Sequence, residues 1–247
     1  MIFNHFKMAW RSLSSRRMYS ALNIAGLALG ITAFALMLQY VSLEQSVNRF
    51  HTKLPQMYRV LCQSSDGKSW PEVEPGWGTK SMENFPEIKA FCRFGDGIGQ
   101  GIVKNESKNL SYREKNVCYG EGNFFEFFSF PVIQGDASAL KQPDVVFISK
   151  SYAIKYFGQE NSLGNPLILY NQFGNHRYIV GGVFEDMGEN SDIRFDMVFS
   201  LETLKNEANL NENGWARLDN LDAQFTNMFF LLDQHSDPVA LEQKLTA

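Results

Sequence analysis

The residue types that most often carry chemistry are all present, but their spacing assembles no catalytic motif. Gly67-Lys68-Ser69 has the ending of a nucleotide P-loop, in which the lysine reaches the phosphates and the hydroxyl holds magnesium. The leading glycine is missing, because Cys62 stands five residues before Gly67. Gly95-Asp96-Gly97-Ile98-Gly99-Gln100-Gly101 has part of a dinucleotide fingerprint, yet Gln100 occupies the last glycine position. That stretch reads as a turn between strands, without the strand–helix pair that would aim amides at a pyrophosphate. His5, His51, His176 and His235 are too far apart for a His-x-x-x-His zinc pair and read as surface residues. Glu185, Asp186 and Glu189 read as a solvated turn, since an acid/base pair needs two opposed environments. No Gly-x-Ser-x-Gly occurs.

Cys62, Cys92 and Cys118 do not have metal-ligand spacing. Each falls in a predicted strand, so they are either three free thiols or one disulfide with one thiol left over. Asn105-Glu106-Ser107 is a glycosylation sequon by pattern only. No catalytic, cofactor-binding or metal-ligating residue emerges, and the chain reads as a non-enzyme without a cofactor.

The elements that would position any site come from the rest of the 247 residues, a length of one to two domains. With 44% hydrophobic and 20% charged residues the chain is a folding one, not a disordered one. A mean hydropathy of -0.25 excludes a polytopic membrane protein. Lys7, Arg11, Arg16 and Arg17 open the chain with no acid among residues 1–17. The formal total of -4 then leaves the remainder acidic, which excludes a phosphate-binding surface for nucleic acid.

Met18 to Leu43 carries no formal charge and no proline, and about 20 apolar residues suffice to cross a bilayer. Ala33-Phe34-Ala35 imitates a signal-peptidase site, but apolar residues continue to Leu43, past the length of a signal core. We therefore expect an uncleaved transmembrane helix over 18–43. Its positive charges lie before it, placing the N-terminus in the cytoplasm and residues after about 45 outside. Gly26 and Gly30 form a GxxxG among alanines, the helix-packing candidates of the chain. Residues 1–17 read as a basic amphipathic lead-in, with Phe3, Phe6, Trp10 and Leu13 on one face.

The remainder alternates short strands and helices without a regular βα repeat, which is an α+β pattern. Strands are predicted at 57–63, 88–94, 98–104, 110–119, 145–148, 166–170, 178–185, 194–199 and 228–232. Helices are predicted at 79–84, 123–128 capped by Asn123, 149–157 capped by Ser149, 201–208, and from Pro238 with Leu241 and Leu245 on one face. A helical continuation through residues 45–50, free of Gly and Pro, is expected to act as a stiff lever onto the first strand.

Several segments together resemble one family. Asn23-Ile24-Ala25-Gly26-Leu27-Ala28-Leu29-Gly30-Ile31 is similar to the first membrane helix of MacB/FtsX-type ABC transporter permeases, especially the large ones of Bacteroidetes-like bacteria. Phe6-Lys7-Met8-Ala9-Trp10-Arg11 resembles their lead-in, and Asn48-Arg49-Phe50-His51 and Tyr58-Arg59-Val60 their helix exit and first strand. Phe85-Pro86-Glu87, Gly122-Asn123-Phe124-Phe125, Tyr156-Phe157-Gly158, Tyr178-Ile179-Val180-Gly181-Gly182-Val183 and Glu189-Asn190-Ser191 follow in the family's order. Gly182 and Met187 depart from it. The resemblance implies an inner-membrane permease with a two-lobed periplasmic core domain, a porter-like lobe at 52–123 and 215–247 and an inserted sabre-like lobe at 124–214. It also implies a separate cytoplasmic ABC ATPase, a second permease copy, and a chain that is part of a longer permease. The domain would couple ATP-driven helix motion to export or extraction. The competing reading is a ligand-sensing extracytoplasmic domain of a membrane receptor.

Overall fold

The computed structural model describes residues 2–15, 17–64, 66–158 and 161–246. It divides into two compact units, 1–47 and 48–247. The first holds two helices, α1 (Ile2–Ser15) and α2 (Arg17–Ser46). Helix α2 has a mean hydropathy of 2.0 over its most apolar window and no buried residue. Within it, the Thr32 hydroxyl donates to the Ala28 carbonyl at 2.8 Å, so this polar group is satisfied by the helix's own backbone. Phe3 and Trp10 of the lead-in are exposed. The side chains of Phe6 and Leu13, and all of Arg16, lie outside the described residues.

The second unit is the α+β domain. In chain order it contains β1 (Met57–Val60), β2 (Cys62–Gln63), β3 (Ser69–Trp70), β4 (Glu72–Val73), α3 (Trp77–Asn84), β5 (Ile88–Gly95), β6 (Gly101–Asn105), β7 (Leu110–Glu114) and β8 (Val117–Gly120). Then come α4 (Phe124–Phe127), β9 (Val132–Gly135), β10 (Val145–Ser149), α5 (Lys150–Phe157), β11 (Pro166–Asn171), β12 (Gly174–Phe184), β13 (Met197–Ser200), β14 (Thr226–Leu232) and α6 (Pro238–Leu245). Twelve strands join in one mixed sheet with the path β1-β14-β5-β8-β13-β10-β12-β11-β6-β7, while β4 pairs with β14 and β9 with β12. The β8–β13 and β10–β12 neighbours are parallel.

Strand alternation sends successive side chains to opposite faces, and β14 uses both. Met228, Phe230 and Leu232 enter one core with Val73, Ile88 and Leu241. Phe229 and Leu231 pack on a second, largely phenylalanine core that includes Phe94, Phe124, Phe128, Phe147 and Phe195. A third core lies around Tyr119, Tyr178 and Phe199.

Several sequence expectations shift in detail. The single strand expected at 110–119 breaks into β7, which pairs with β6, and β8, which pairs with β5 and β13, and at the break Asn116 donates to Asp196 at 3.0 Å. The helix expected at 201–208 is a succession of 3-10 turns. In α6 Leu241 is buried but Leu245 is exposed. Ser149 caps α5 as expected, accepting from the Tyr152 amide. Asn123 makes no cap bond, and its side chain instead donates to the Phe91 carbonyl at 2.9 Å. All three cysteines are free, with Cys92 and Cys118 buried. The helix stops at Ser46, short of the expected continuation through residue 50, and Asn48 takes a left-handed φ of 60°.

Gly182 has a steric cause. The β10–β12 register slips between Val146 and Phe147, and the Phe147 ring lies over the space a Gly182 Cβ would need. Filling a packed site usually costs about 1–3 kcal/mol. Gly182→Ala is expected to destabilise the domain by that amount, read as a lower midpoint in denaturant unfolding. An unchanged midpoint would show that Phe147 is free to move aside.

Candidate functional site

A cavity of about 800 Å³ opens in the second unit, within the volume range of ligand sites. One wall is β-sheet: Met57 and Arg59 of β1, Phe94 with the following Asp96, and Asn227 and Phe229 of β14. The opposite wall is the segment from Asp186 to Asp196 between β12 and β13, with Asn116 beside it. The floor is aromatic, since Phe94 stands edge-on to Phe195 at 5.4 Å and stacks on Phe229 at 6.1 Å. Arg59 crosses it, with its guanidinium 5.8 Å from the Phe229 centroid and bonded to the Asn227 amide oxygen.

The third side is the segment that leads out of α2. Asn48 and Asp192 interlock. The Asn48 side-chain amide donates to the Asp192 carboxylate at 2.8 Å, and the Asp192 backbone amide donates to Asn48 Oδ1 at 3.1 Å. The Asn48 backbone amide donates to the Asn190 carbonyl at 2.8 Å. Asparagine suits this place because it tolerates a positive φ and carries both a donor and an acceptor. Thr52 bonds to Ser129 through its amide, 3.2 Å, and its hydroxyl, 2.9 Å. Residues 48–52 are thus bonded to segments 77 and 144 positions away.

His51, expected at the surface, is 5% exposed. Its Nδ1 bonds to the Phe128 carbonyl, and its ring packs against Phe50 at 4.1 Å and Phe130 at 5.6 Å. Burial holds its pKa below 6.5, although the Phe128 carbonyl and Asp192 pull the other way. The ring is therefore neutral at pH 7, with Nδ1–H donating. His176 is half-buried against the Phe173 carbonyl at 2.7 Å, and His235 is exposed. Asp186 and Glu185 are held singly rather than as a pair. Asp186 accepts from the Ser151 amide and hydroxyl, and Glu185 meets Lys150 at 3.2 Å. Met187, the second departure from the family pattern, lines the cavity and takes the Phe195 amide on its sulfur at 3.3 Å.

Two buried charge clusters outside the cavity lining escaped sequence reading. Arg93, 4% exposed, donates to Glu121 at 2.7 Å and to the carbonyls of Pro75 and Leu218. Glu114, 3% exposed, accepts from Lys155 at 2.7 Å, Tyr152 at 2.9 Å and Tyr156 at 2.6 Å. Lys155 also lies 4.2 Å from the centre of the Tyr152 ring. Burial and the adjacent carboxylate raise both tyrosine pKa values. Among the described residues, no group of three or more His, Cys, Asp or Glu side chains converges as a metal site. Gly26 and Gly30 are on α2, away from the cavity's residues in sequence, with open space around their α-carbons.

Fold and site together define a mixed-sheet α+β domain carried behind a helix long and apolar enough to cross a membrane. The chain belongs to the MacB-like periplasmic core domain family, whose model matches residues 20–247. Two solved structures share the fold. A domain of a permease protein from Porphyromonas gingivalis aligns with a TM-score of 0.63 at 23% identity, over 79% of this chain and 83% of that one. The periplasmic region of MacB from Actinobacillus actinomycetemcomitans aligns with a TM-score of 0.56 at 14% identity, over 82% and 83%. No curated protein matches the chain.

His51 makes the site pH-sensitive. Its folded pKa lies below the unfolded value, so its contribution is intact above about pH 6.5 and fades as pH falls through the folded value. His51→Asn keeps a donor for the Phe128 carbonyl and removes the titration. Between pH 7 and pH 5 the wild type should lose more thermal stability than the variant. Equal losses would mean that folding does not shift the His51 pKa.

Proposed function

We propose that the chain is the N-terminal part of an ABC-type transporter permease, anchored in the bacterial inner membrane by α2. The N-terminus is cytoplasmic and the domain after about residue 45 periplasmic. The charge asymmetry supports this orientation, since the basic residues precede the span. The chain performs no chemistry of its own, and a cytoplasmic ABC ATPase supplies the energy. Gly26 and Gly30 face open space and receive a neighbouring membrane helix, either from the same permease or from a second copy. Helix α1, with Trp10 exposed, lies at the membrane surface.

The division into a porter-like lobe, 52–123 with 215–247, and a sabre-like lobe, 124–214, belongs to this reading. The adjacency of β1, β14 and β5 and their shared core support it. The β6–β7 hairpin pairs with β11, which carries residues 101–114 across to the inserted lobe.

One observation carries the coupling role, the interlock of Asn48 with Asp192. Movement of the membrane helix passes through residues 48–52 into the segment between β12 and β13, ahead of β1. The stiffness expected of a continuous helix is supplied here by hydrogen bonds. Asn48→Gly separates backbone from side chain, because glycine accepts the positive φ but cannot make the interlock. In the complete transporter, spin labels on Gly188 and on Lys80 of α3 should report a distance change on ATP turnover. Asn48→Gly should abolish that change while ATP hydrolysis continues. No ATP-dependent change in the wild type would end the permease reading, whereas an undiminished change in the variant would end only the role of the interlock.

A further inference from the structure

Four aspartates line the cavity: Asp96, Asp186, Asp192 and Asp196. Each is oriented by neutral donors. Asp96 accepts from Asn227 at 3.3 Å and the Gly97 amide at 3.0 Å. Asp186 accepts from Ser151, Asp192 from Asn48, and Asp196 from Asn116. Among the described residues, none of the four forms an ion pair with a lysine or arginine. The lining holds two cations, Arg59 and Arg194, and Arg59 is drawn aside to Asn227 and the Phe229 ring. Four negative charges against two positive ones leave the lining net acidic. His51 adds no compensation, because burial keeps it neutral at pH 7.

Carboxylates fixed in direction by neutral groups, without a salt-bridge partner and outnumbering the cations around them, are complementary to a cationic ligand. They do not converge as a metal site, since no three ligating side chains come together among the described residues. The cations they suit are therefore separate and monovalent, strung along one elongated molecule. Between them lies the aromatic floor of Phe94, Phe195 and Phe229. Lysine and arginine have this mixed character, an apolar stem beneath a charged head, and their heads also favour aromatic faces.

We propose that the cavity is the docking groove for a basic segment of a partner polypeptide, its lysine or arginine heads against the aspartates and its apolar stems along the aromatic floor. The proposal stands on the cavity alone and does not depend on the permease reading.

The test uses the full chain in nanodiscs of zwitterionic phosphatidylcholine, where no anionic lipid competes. The probe is a fluorescent acetylated hexapeptide alternating lysine with leucine and phenylalanine, followed by anisotropy at low salt. Its comparators are the same peptide with glutamate for lysine, and spermidine as a competitor. Binding of the lysine peptide alone is expected. Asp96→Asn with Asp196→Asn keeps the acceptor oxygens and should weaken it at least about tenfold. Arg194→Ala, which removes an opposing cation, should tighten it, a gain that misfolding cannot imitate. Asp222→Asn, outside the cavity, should leave it unchanged. Equal binding of the glutamate peptide, or affinity indifferent to both the aspartate and the arginine changes, would overturn the proposal. Displacement by spermidine at concentrations equal to the peptide's own affinity would overturn the polypeptide as occupant.

Discussion

The reciprocal bonding of Asn48 and Asp192 is the constraint on which the rest of the arrangement turns. A residue two places past the end of a long apolar helix would ordinarily be free to swing. Here its backbone amide, side-chain amide and side-chain oxygen are all engaged by residues 190–192. The positive φ of Asn48 is the geometry that lets all three be satisfied. A few residues on, Thr52 and His51 add bonds to Ser129 and to the Phe128 carbonyl. Ser129 itself has a φ of 57°, so this junction contains two left-handed residues, Asn48 held by residues 190–192 and Ser129 by Thr52.

The groove follows from the same junction. Asn48, His51 and Asp192 form part of its lining, so the bonds that fix residues 48–52 also shape the cavity. Elsewhere the domain is held by buried charges. Arg93 links three loops through Glu121, Pro75 and Leu218, and Glu114 pins α5 through Lys155 and two tyrosines. Removing one member of such a buried set typically costs about 3–5 kcal/mol, because the charge left behind has no water to turn to.

Much of the fold was legible because strand alternation and helix caps are local signals. The runs of β5, β10, β11 and β14 were placed within a residue or two, and Ser149 was read as the cap it is. The break between β7 and β8 was not legible, since the two strands pair with different partners, β7 with β6 and β8 with β5 and the distant β13. His51 was read as a surface residue, and its burial comes from Phe50 beside it and from Phe128 and Phe130 far along the chain. Gly182 looked anomalous until Phe147 was found over it. The long apolar helix and its Gly26/Gly30 pair were readable from the uncharged run of the sequence alone. The cavity was not, because its lining is gathered from residues 48 to 229, and the four aspartates acquire a common meaning only when the sheet brings them together.

The family resemblance supplied the order of the segments, and the match over residues 20–247 bears it out. What the resemblance did not contain is the physical link from helix exit to core. A double-mutant cycle on that link is the most direct measurement, with Asn48→Gly and Asp192→Ala singly and combined in equilibrium unfolding of the domain. A coupling free energy of about 1–2 kcal/mol is predicted, as expected for partners sharing charge-assisted bonds. Additive effects, with no coupling between the two positions, would contradict the account.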